Sequence, residues 1–237
     1  MTGAARRIGA CIAETLHAAG ADVVIHYRGS ADEANAVSDR LNNVRAGSAT
    51  TVQADLGDMQ SLHALAESAR AFKGRLDILI NNASSFYPTP LGTITEDHWD
   101  DLMASNLKAP LFLTQALAEE LKSRSGRIVN IVDIHARRPL KDHLVYGPAK
   151  AGLDMLTRSL AKDMAPEVRV NGVSPGAILW PEDGMTEDTQ ASIVSQVPLA
   201  RTGEPADIAT AVLFLVRDAN YATGQVLAID GGRSIGW

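Results

Sequence analysis

The chain has 237 residues, of which 46% are hydrophobic and 21% are charged, and its formal net charge is -6 at pH 7. This balance is typical of one large α/β domain, and the acidic charge excludes a general nucleic-acid binder. A single cysteine, Cys11, excludes an internal disulfide, and we expect no metal because the histidines lack ligand spacing. No apolar run reaches the roughly 18 residues that span a bilayer, and no signal peptide is evident, so we expect a cytoplasmic protein without membrane contact.

Short β-branched runs alternate with longer helical patterns along the whole chain. The predicted strands are Val23–His26, Thr50–Gln53, Ile78–Ile80, Arg127–Val132, Arg169–Val173 and Gln225–Ile229. The predicted helices are approximately Ile8–Ala19, Ala31–Asn42, Met59–Phe72, Asp97–Ser123, Leu144–Met164 and Pro205–Arg217. Because the strands are continuously apolar, they are expected to be parallel and covered on both faces. The pattern predicts an α/β fold with a doubly wound parallel sheet in three layers, as a single domain over residues 1–237.

The segment 176–202 is the longest stretch without strand character. It holds Pro181, Gly184 and Pro198 around a short helical patch. We expect this segment to act as a lid over the functional site.

A glycine-rich turn opens the chain. The sequence TGAARRIG places Gly3 and Gly9 around a helix start, where glycines let the backbone approach a pyrophosphate and the helix supplies N–H groups. Arg7 replaces the usual middle glycine, and the pattern alone also fits a plain capped turn. In a doubly wound fold this turn follows a buried central strand, so we expect that upstream residues of a first strand are missing from the sequence.

The end of the first predicted strand indicates which nicotinamide cofactor is preferred. NAD-dependent dehydrogenases often place an acidic residue there, whereas this chain has Arg28 and Ser30 and no carboxylate until Asp32. A guanidinium beside a hydroxyl suits a 2′-phosphate, which predicts NADPH; a solvated charge is the alternative for Arg28.

Polar or aromatic residues follow the next strands. Asp55 could accept a hydrogen bond from an adenine amino group or cap the helix ahead of Met59, and the sequence leaves both open. After the third predicted strand, Ala83 permits close approach of a cofactor, and Phe86 could stack on a flat heterocycle or simply pack in a loop. Pro175 and Gly176 form a tight turn whose backbone could meet a carboxamide.

Asn106 lies within a predicted long helix, where a middling helix former indicates a hydrogen-bonding role. Pro110, four residues later, removes the backbone donor that would bind the carbonyl of Asn106. A local kink without function explains this pattern equally well.

Asp133, Tyr146 and Lys150 form the most informative group. Tyr146 and Lys150 are four residues apart, so a helix places them on one face, where the ammonium should lower the pKa of the phenol. Asp133 ends an apolar strand. The group predicts proton delivery at the carboxyl edge of the sheet, against the alternative of a strand-end cap plus an exposed helical pair.

Taken together, these motifs resemble the short-chain dehydrogenase/reductase family, because TGxxxxxG, NNA, an Asn in the long helix, YxxxK and PG occur in that family's order. The resemblance implies a Rossmann-type sheet, a nicotinamide cofactor and a homotetramer. A serine normally stands about thirteen residues before the family's tyrosine, and Asp133 takes that position here.

This departure, with Arg7 in TGxxxRxG and the segment NNASSFYPTPL, resembles the pteridine reductases. That resemblance implies NADPH-dependent reduction of 7,8-dihydropterins such as dihydrobiopterin or dihydromonapterin, with dihydrofolate and oxidised pterins as further substrates. The implied catalytic residues are Asp133, Tyr146, Lys150 and Asn106. The implied pterin-binding residues are Arg7, Ser84, Phe86, Asp133 and Tyr146. The predicted cofactor-binding residues are Gly3, Arg7, Ile8, Gly9, His26, Tyr27, Arg28, Ser30, Asp55, Leu56, Asn82, Ala83, Ser84, Tyr146, Lys150, Pro175 and Gly176.

The serine-to-aspartate exchange has a chemical reason. Reducing a ring C=N bond needs a proton on nitrogen, which a buried carboxyl group supplies better than a serine hydroxyl. Because a carboxylate opposes phenolate formation, Asp133 and Tyr146 should titrate as a coupled pair. The alternatives are a carbonyl reductase, such as a 3-oxoacyl reductase, and a non-catalytic NADPH-binding regulator, which would not need a proton relay.

Overall fold

Helices and strands alternate along the chain in the computed structural model, which describes residues 1–180 and 185–235. The strands of this part are β1 (Val23–Tyr27), β2 (Ala49–Gln53), β3 (Ile78–Asn81), β4 (Arg127–Ile131), β5 (Arg169–Pro175) and β6 (Val226–Ile229). The helices are α1 (Arg7–Ala18), α2 (Ala31–Val44), α3 (Met59–Ala71), α4 (Glu96–Met103), α5 (Ala109–Ser123), α6 (Tyr146–Asp163), α7 (Glu187–Ser195) and α8 (Pro205–Arg217). Every predicted strand is confirmed, with small differences at the ends.

The strands form two parallel ladders that the first two residues join. β1 pairs with β2, and β3, β4, β5 and β6 follow one another in a second ladder. Between them, the amino group of Met1 donates to the carbonyl of Val24 (2.9 Å), and the amide of His26 donates to the carbonyl of Met1 (3.1 Å). On the other side, the amide of Thr2 donates to the carbonyl of Ile80 (3.0 Å). Met1 and Thr2 thus occupy the place where the sequence analysis expects a central strand.

Helices cover both faces of the sheet. Leu79 and Ile128 pack into one hydrophobic cluster with side chains of α3, α5 and α6, whereas Ile80 and Val129 pack into another with α1 and α8. Neighbouring residues of one strand are therefore buried on opposite faces, which explains the continuous apolar runs. Each such side chain contributes about 1.5–3 kcal/mol on burial. The doubly wound, three-layered, single-domain prediction is confirmed.

The predicted helical segment Asp97–Ser123 is helical throughout, and the expected disturbance near Asn106 is present. A π-helical turn at Ala104–Lys108 separates α4 from α5, and within it the amide of Ala109 donates to the carbonyl of Ala104. Pro110 lies in the first turn of α5, where its missing N–H removes a normal helical hydrogen bond. The backbone absorbs this defect in the π-turn, which is a geometry that recurs at functional sites.

The predicted lid is described in part, because residues 181–184 lie outside the described residues. Within the remainder, α7 buries none of its side chains. At the start of the segment, a Cβ on Gly176 would lie 2.6 Å from Cβ of Asp230, so close packing there requires glycine. No helix of the described chain is long and apolar enough to cross a membrane.

Candidate active site

A cleft of about 950 Å³ opens at the carboxyl ends of the strands. Its wall contains most of the residues predicted to hold a cofactor, namely Gly3, Arg7, Ile8, Gly9, His26, Tyr27, Arg28, Ser30, Asp55, Leu56, Asn82, Ala83 and Ser84. Among the described residues, the wall leaves out the other four, which are Tyr146, Lys150, Pro175 and Gly176. Residues far apart in sequence thus converge on one elongated site.

The glycine-rich turn excludes side chains at two positions. Gly3 has φ +59°, and a Cβ there would lie 2.8 Å from Cα of Ala83. A Cβ on Gly9 would lie 2.1 Å from the carbonyl oxygen of Gly3. The turn therefore presents bare backbone at the start of α1, which fits the phosphates of a dinucleotide.

Arg7 also has a left-handed backbone, with φ 53°. This conformation is uncommon for a residue with a side chain and concentrates at functional sites. Its guanidinium donates to the carbonyl of Trp180 (3.0 Å), which ties the turn to the predicted lid segment.

Asn82 holds the turn against the end of β3. Its side-chain amide donates to the carbonyls of Gly3 (2.8 Å) and Thr2 (3.1 Å). In return, the hydroxyl oxygen of Thr2 accepts from the amides of Asn82 (2.9 Å) and Ala83 (3.0 Å). The side chain of Asn82 therefore shapes the cleft by supporting its floor.

His26 supports the same turn from β1. Its Nδ1 accepts from the amide of Gly3 (3.1 Å), and its Nε2 lies 3.1 Å from the carbonyl of Ala54. These partners require a neutral ring with the proton on Nε2. Burial lowers the pKa of His26 to about 4, so the ring stays neutral at physiological pH.

On the cleft wall, a residue predicted from the sequence forms an ion pair with one that the sequence does not indicate. Arg28, predicted to bind a 2′-phosphate, lies 3.3 Å from the carboxylate of Asp101, and both side chains are partly exposed. Trp99 and Lys108 line the same wall. Trp99, Asp101 and Lys108 lie on the predicted long helix, and helical periodicity alone does not indicate that they face the cofactor cleft.

Asp55 is not a helix cap. Its Oδ1 accepts from the amide of Gly57 (2.8 Å), whereas the N-cap of α3 is Asp58, which accepts from the amide of Ser61 (2.7 Å). Asp55 remains on the cleft wall. The structure therefore excludes a role for Asp55 as the cap of α3, and a contact with the cofactor is the interpretation that is left.

Asn106 joins the π-turn to the loop after β3. It is fully buried, and its amide donates to the carbonyls of Leu102 (2.9 Å) and Ser85 (2.9 Å). Its Oδ1 accepts from the hydroxyl of Ser84 (2.7 Å). Asn106 therefore fixes the position of Ser84, which faces both the cleft and Tyr146.

Asp133 and Tyr146 form a direct hydrogen bond. The phenol of Tyr146 donates to Oδ2 of Asp133 (2.8 Å), and Oδ1 of Asp133 accepts from the amide of His135 (2.7 Å). The carboxylate thus caps the short 3-10 turn Ile134–Ala136 and also binds the phenol. The two interpretations of Asp133, as a strand-end cap and as a partner of Tyr146, are realised together.

Lys150 does not lower the pKa of Tyr146, so that prediction is wrong. Burial and the charge of Asp133 raise the pKa of Tyr146 well above 10, and the nearby Ser84 hydroxyl only opposes this rise. The Lys150 ammonium donates to the carbonyl of Ile131 (2.9 Å) and lies 5.8 Å from the centre of the Tyr146 ring. Burial lowers the pKa of Lys150 to about 8. Tyr146 therefore keeps its proton at neutral pH.

Phe86 borders this pair. Its ring packs edge-on against Tyr146, with 4.8 Å between ring centres, and stacks on His143 at the same separation with an interplanar angle of 20°. Nearly half of Phe86 is exposed (48%). The sequence gives no signal for His143, because the contact joins two loops that are distant in the chain.

The glycine-rich turn and the cleft define a Rossmann-like dinucleotide-binding domain. A family model described as Enoyl-(Acyl carrier protein) reductase matches residues 3–234. The chain is 38% identical to pteridine reductase 1 of Leishmania tarentolae, over 99% of this chain and 95% of that protein. It is 36% identical to the 3-oxoacyl-acyl-carrier-protein reductase FabG of Salmonella typhimurium, over 98% of this chain and 95% of that protein. The corresponding FabG of Staphylococcus aureus is 34% identical, over 98% and 96%.

The chain therefore belongs to the short-chain dehydrogenase/reductase family, and it is an oxidoreductase of that family. Members of this family use NAD(P)H, and the bare turn, the start of α1 and the long cleft fit such a dinucleotide.

Changing Gly9 to Ala should weaken NADPH binding by about tenfold or more, because forcing the turn away from its new Cβ costs about 1–3 kcal/mol. The measurement is direct titration of NADPH fluorescence. Cys11→Ala, two residues further along α1, is the matched control and should bind normally. Tight binding by the Gly9 variant would show that the turn does not approach the cofactor.

Changing Lys150 to Met should stabilise the fold, because burial disfavours the charged ammonium. Lowering the pKa of Lys150 from 10.5 to about 8 destabilises the folded wild-type protein by about 3 kcal/mol at neutral pH. The Met variant avoids this cost but loses the hydrogen bond to Ile131, which contributes about 1 kcal/mol. Urea unfolding at neutral pH should therefore show a gain of about 2 kcal/mol, which shrinks as pH rises through the lysine pKa. Lys162→Met, an exposed change on the same helix, should alter stability by less than about 0.5 kcal/mol.

Proposed function

We propose that this protein reduces a 7,8-dihydropterin to its tetrahydro form with NADPH. The observation that carries the proposal is the 2.8 Å hydrogen bond from the Tyr146 hydroxyl to Asp133, at the position where the family normally has serine. The similarity to pteridine reductase 1 of Leishmania tarentolae, over nearly the full length of both chains, supports the same substrate class.

The raised pKa of Tyr146 suits this reaction. A nicotinamide cofactor held in the cleft would supply hydride to a carbon of the ring C=N bond, and the adjacent nitrogen would then need a proton. A phenol that keeps its proton at neutral pH is the donor, because nitrogen becomes strongly basic as hydride arrives. Asp133 orients the phenol before transfer, and protonation of the Asp133–Tyr146 pair from solvent restores the resting state.

Asp133 also recognises the substrate in this proposal. The 2-amino-4-oxo edge of a pterin presents N–H donors, and a carboxylate accepts them with charge-assisted hydrogen bonds. Phe86, half-exposed beside Tyr146, offers an aromatic platform for the flat ring. Ser84 and Arg7 on the cleft wall complete the substrate side.

The cofactor preference rests on Arg28. Its guanidinium lies at the edge of the cleft, next to Ser30, where no carboxylate of β1 or its loop opposes a 2′-phosphate. Asp101 holds the arginine at 3.3 Å, in an exposed ion pair worth at most about 1 kcal/mol. A phosphate can therefore compete for the guanidinium at little cost.

Carbonyl reduction is the second candidate, because two FabG proteins named for 3-oxoacyl reduction are 34% and 36% identical to this chain. Asp133 argues against it, since a charged carboxylate beside the phenol would repel the electron-rich oxygen of a carbonyl substrate. A neutral serine hydroxyl would polarise that oxygen instead.

The assembly and the lid belong to the same proposal. We infer a homotetramer from the family resemblance, which light scattering would test, and a cytoplasmic location remains the expectation from the sequence. We also propose that the segment 176–202 closes over bound substrate, and the hydrogen bond from Arg7 to the carbonyl of Trp180 supports a link between lid and cofactor turn.

Changing Asp133 to Ser should lower dihydropterin turnover by at least about tenfold while ketone reduction is kept or gained, because Asp133 orients the Tyr146 phenol, and general acid catalysis is worth about 10²–10⁴-fold. NADPH absorbance would be followed with dihydrobiopterin, dihydromonapterin, dihydrofolate and a ketone panel. Asp163→Ser at the exposed end of α6 should behave like wild type. A wild-type protein that reduces ketones alone would overturn the pterin proposal.

Changing Arg28 to Ala should raise the KM for NADPH by about tenfold and leave that for NADH nearly unchanged, since a charge-assisted contact contributes about 1.5–3 kcal/mol. Arg40→Ala, which removes an exposed ion pair with Glu14, is the control. Equal effects on both cofactors would remove Arg28 from the 2′-phosphate site.

A further inference from the structure

Asp154 is a nearly buried carboxylate outside the cleft. It lies on α6, about two turns after Tyr146. Its side chain is 11% exposed and accepts from Nε of Arg137 (2.8 Å) and Nη2 of Arg158 (3.0 Å). A carboxylate is rarely buried to this degree without partners, and here both oxygens are engaged.

The two arginines hold Asp154 in different ways. Arg158 is four residues further along α6, so this ion pair stays within one helix. Arg137, by contrast, is the C-cap of the 3-10 turn Ile134–Ala136 that Asp133 begins. The Arg137–Asp154 pair therefore crosses from the turn to the helix.

The turn is thus attached to α6 at both ends. At its start, Asp133 accepts from Tyr146 (2.8 Å), and at its end, Arg137 donates to Asp154 (2.8 Å). Both partners on α6 lie on the same rigid helix, so the second attachment limits how far the first can move.

Packing supports the turn weakly on one side. A cavity of about 40 Å³ lies behind it, and its wall includes Asp133, Arg137, Asp154, Ser174 and Ser234. This space suffices for ordered water, because a cavity needs at least about 10–15 Å³ to hold one molecule. A hollow with a mixed polar and apolar wall resists displacement less than a close-packed core, so the side-chain attachments matter more.

We propose that Asp154 is a positioning residue, which through Arg137 fixes the carboxylate of Asp133 against the hydroxyl of Tyr146. The inference rests on the proposed function in so far as that pair delivers the proton. Asp154 itself does not contact the reacting atoms. Its role is to keep the turn Ile134–Ala136, and with it Asp133, at a constant distance from α6.

Removing the Arg137–Asp154 ion pair should lower kcat more than it weakens the binding of NADPH. Small displacements of a catalytic group, of the order of 1 Å, reduce rates by about 10²-fold. We expect Asp154→Ala and Arg137→Ala each to lower kcat by about tenfold, with the KM for NADPH nearly unchanged. The double variant should be no slower than either single one, because both remove the same contact.

The matched control is Arg158→Ala, which removes the other arginine from Asp154 and leaves the crossing pair. It should keep kcat within about twofold of wild type, because this pair stays within α6 and does not reach the turn that holds Asp133. Equal losses in the Arg158 and Arg137 variants would overturn the proposal and indicate a general structural role for Asp154.

A second readout does not depend on turnover. The phenol of Tyr146 should titrate closer to its ordinary pKa when Asp133 is no longer held beside it. Ultraviolet difference titration against the Tyr146→Phe variant of each protein reports this change. An unchanged titration in Asp154→Asn and Arg137→Ala, which also serve if Asp154→Ala fails to fold, would overturn the proposal.

These readouts separate the two failures. If wild type reduces ketones but not dihydropterins, the proposed function fails, and the Tyr146 titration still tests the role of Asp154. If wild type reduces dihydropterins while the Asp154 and Arg137 variants keep normal kcat and titration, the positioning role alone fails.

Discussion

The close approach of the glycine-rich turn to the ends of β1 and β3 is the constraint on which the site depends. Gly3 lies so near Ala83 that a side chain has no room, and Gly9 lies equally near Gly3. Neutral His26 holds the turn from one ladder and Asn82 holds it from the other. The cofactor cleft exists because these polar contacts and two missing side chains bring the backbones together.

Beside this cleft lie ionisable side chains whose charged forms are disfavoured by burial. Lys150 is nearly fully buried (2% exposed), yet its partner is a neutral carbonyl rather than a carboxylate. Tyr146 is almost as buried and faces a negative group that disfavours its ionisation. Packing of the surrounding core offsets the unfavourable free energy of burying these two side chains. Such destabilised arrangements are common where activity requires them.

The sequence predicted what depends on local patterns. Continuous apolar runs identified every strand, since a strand covered on both faces needs apolar residues at successive positions. The spacing of Tyr146 and Lys150 identified their shared helix. The direction of the Tyr146 pKa shift was wrong, because burial and Asp133 outweigh a lysine whose ammonium binds Ile131. Asp101 and His143 were missed because their partners, Arg28 and Phe86, are tertiary contacts that no periodicity marks, and the same holds for the pair that Asp154 forms with Arg137.

Met1 and Thr2, which join the two ladders, also bear on the order in which the chain folds. Thr2 pairs with Ile80 across 78 residues, whereas β1 and β2 are close in sequence and can pair without closing a long loop. Loop closure costs more conformational entropy as the intervening chain lengthens, so local pairings form more readily. The pairing of β1 with β2 is therefore more local than that of Thr2 with Ile80, and the two ladders meet only where this short segment binds both.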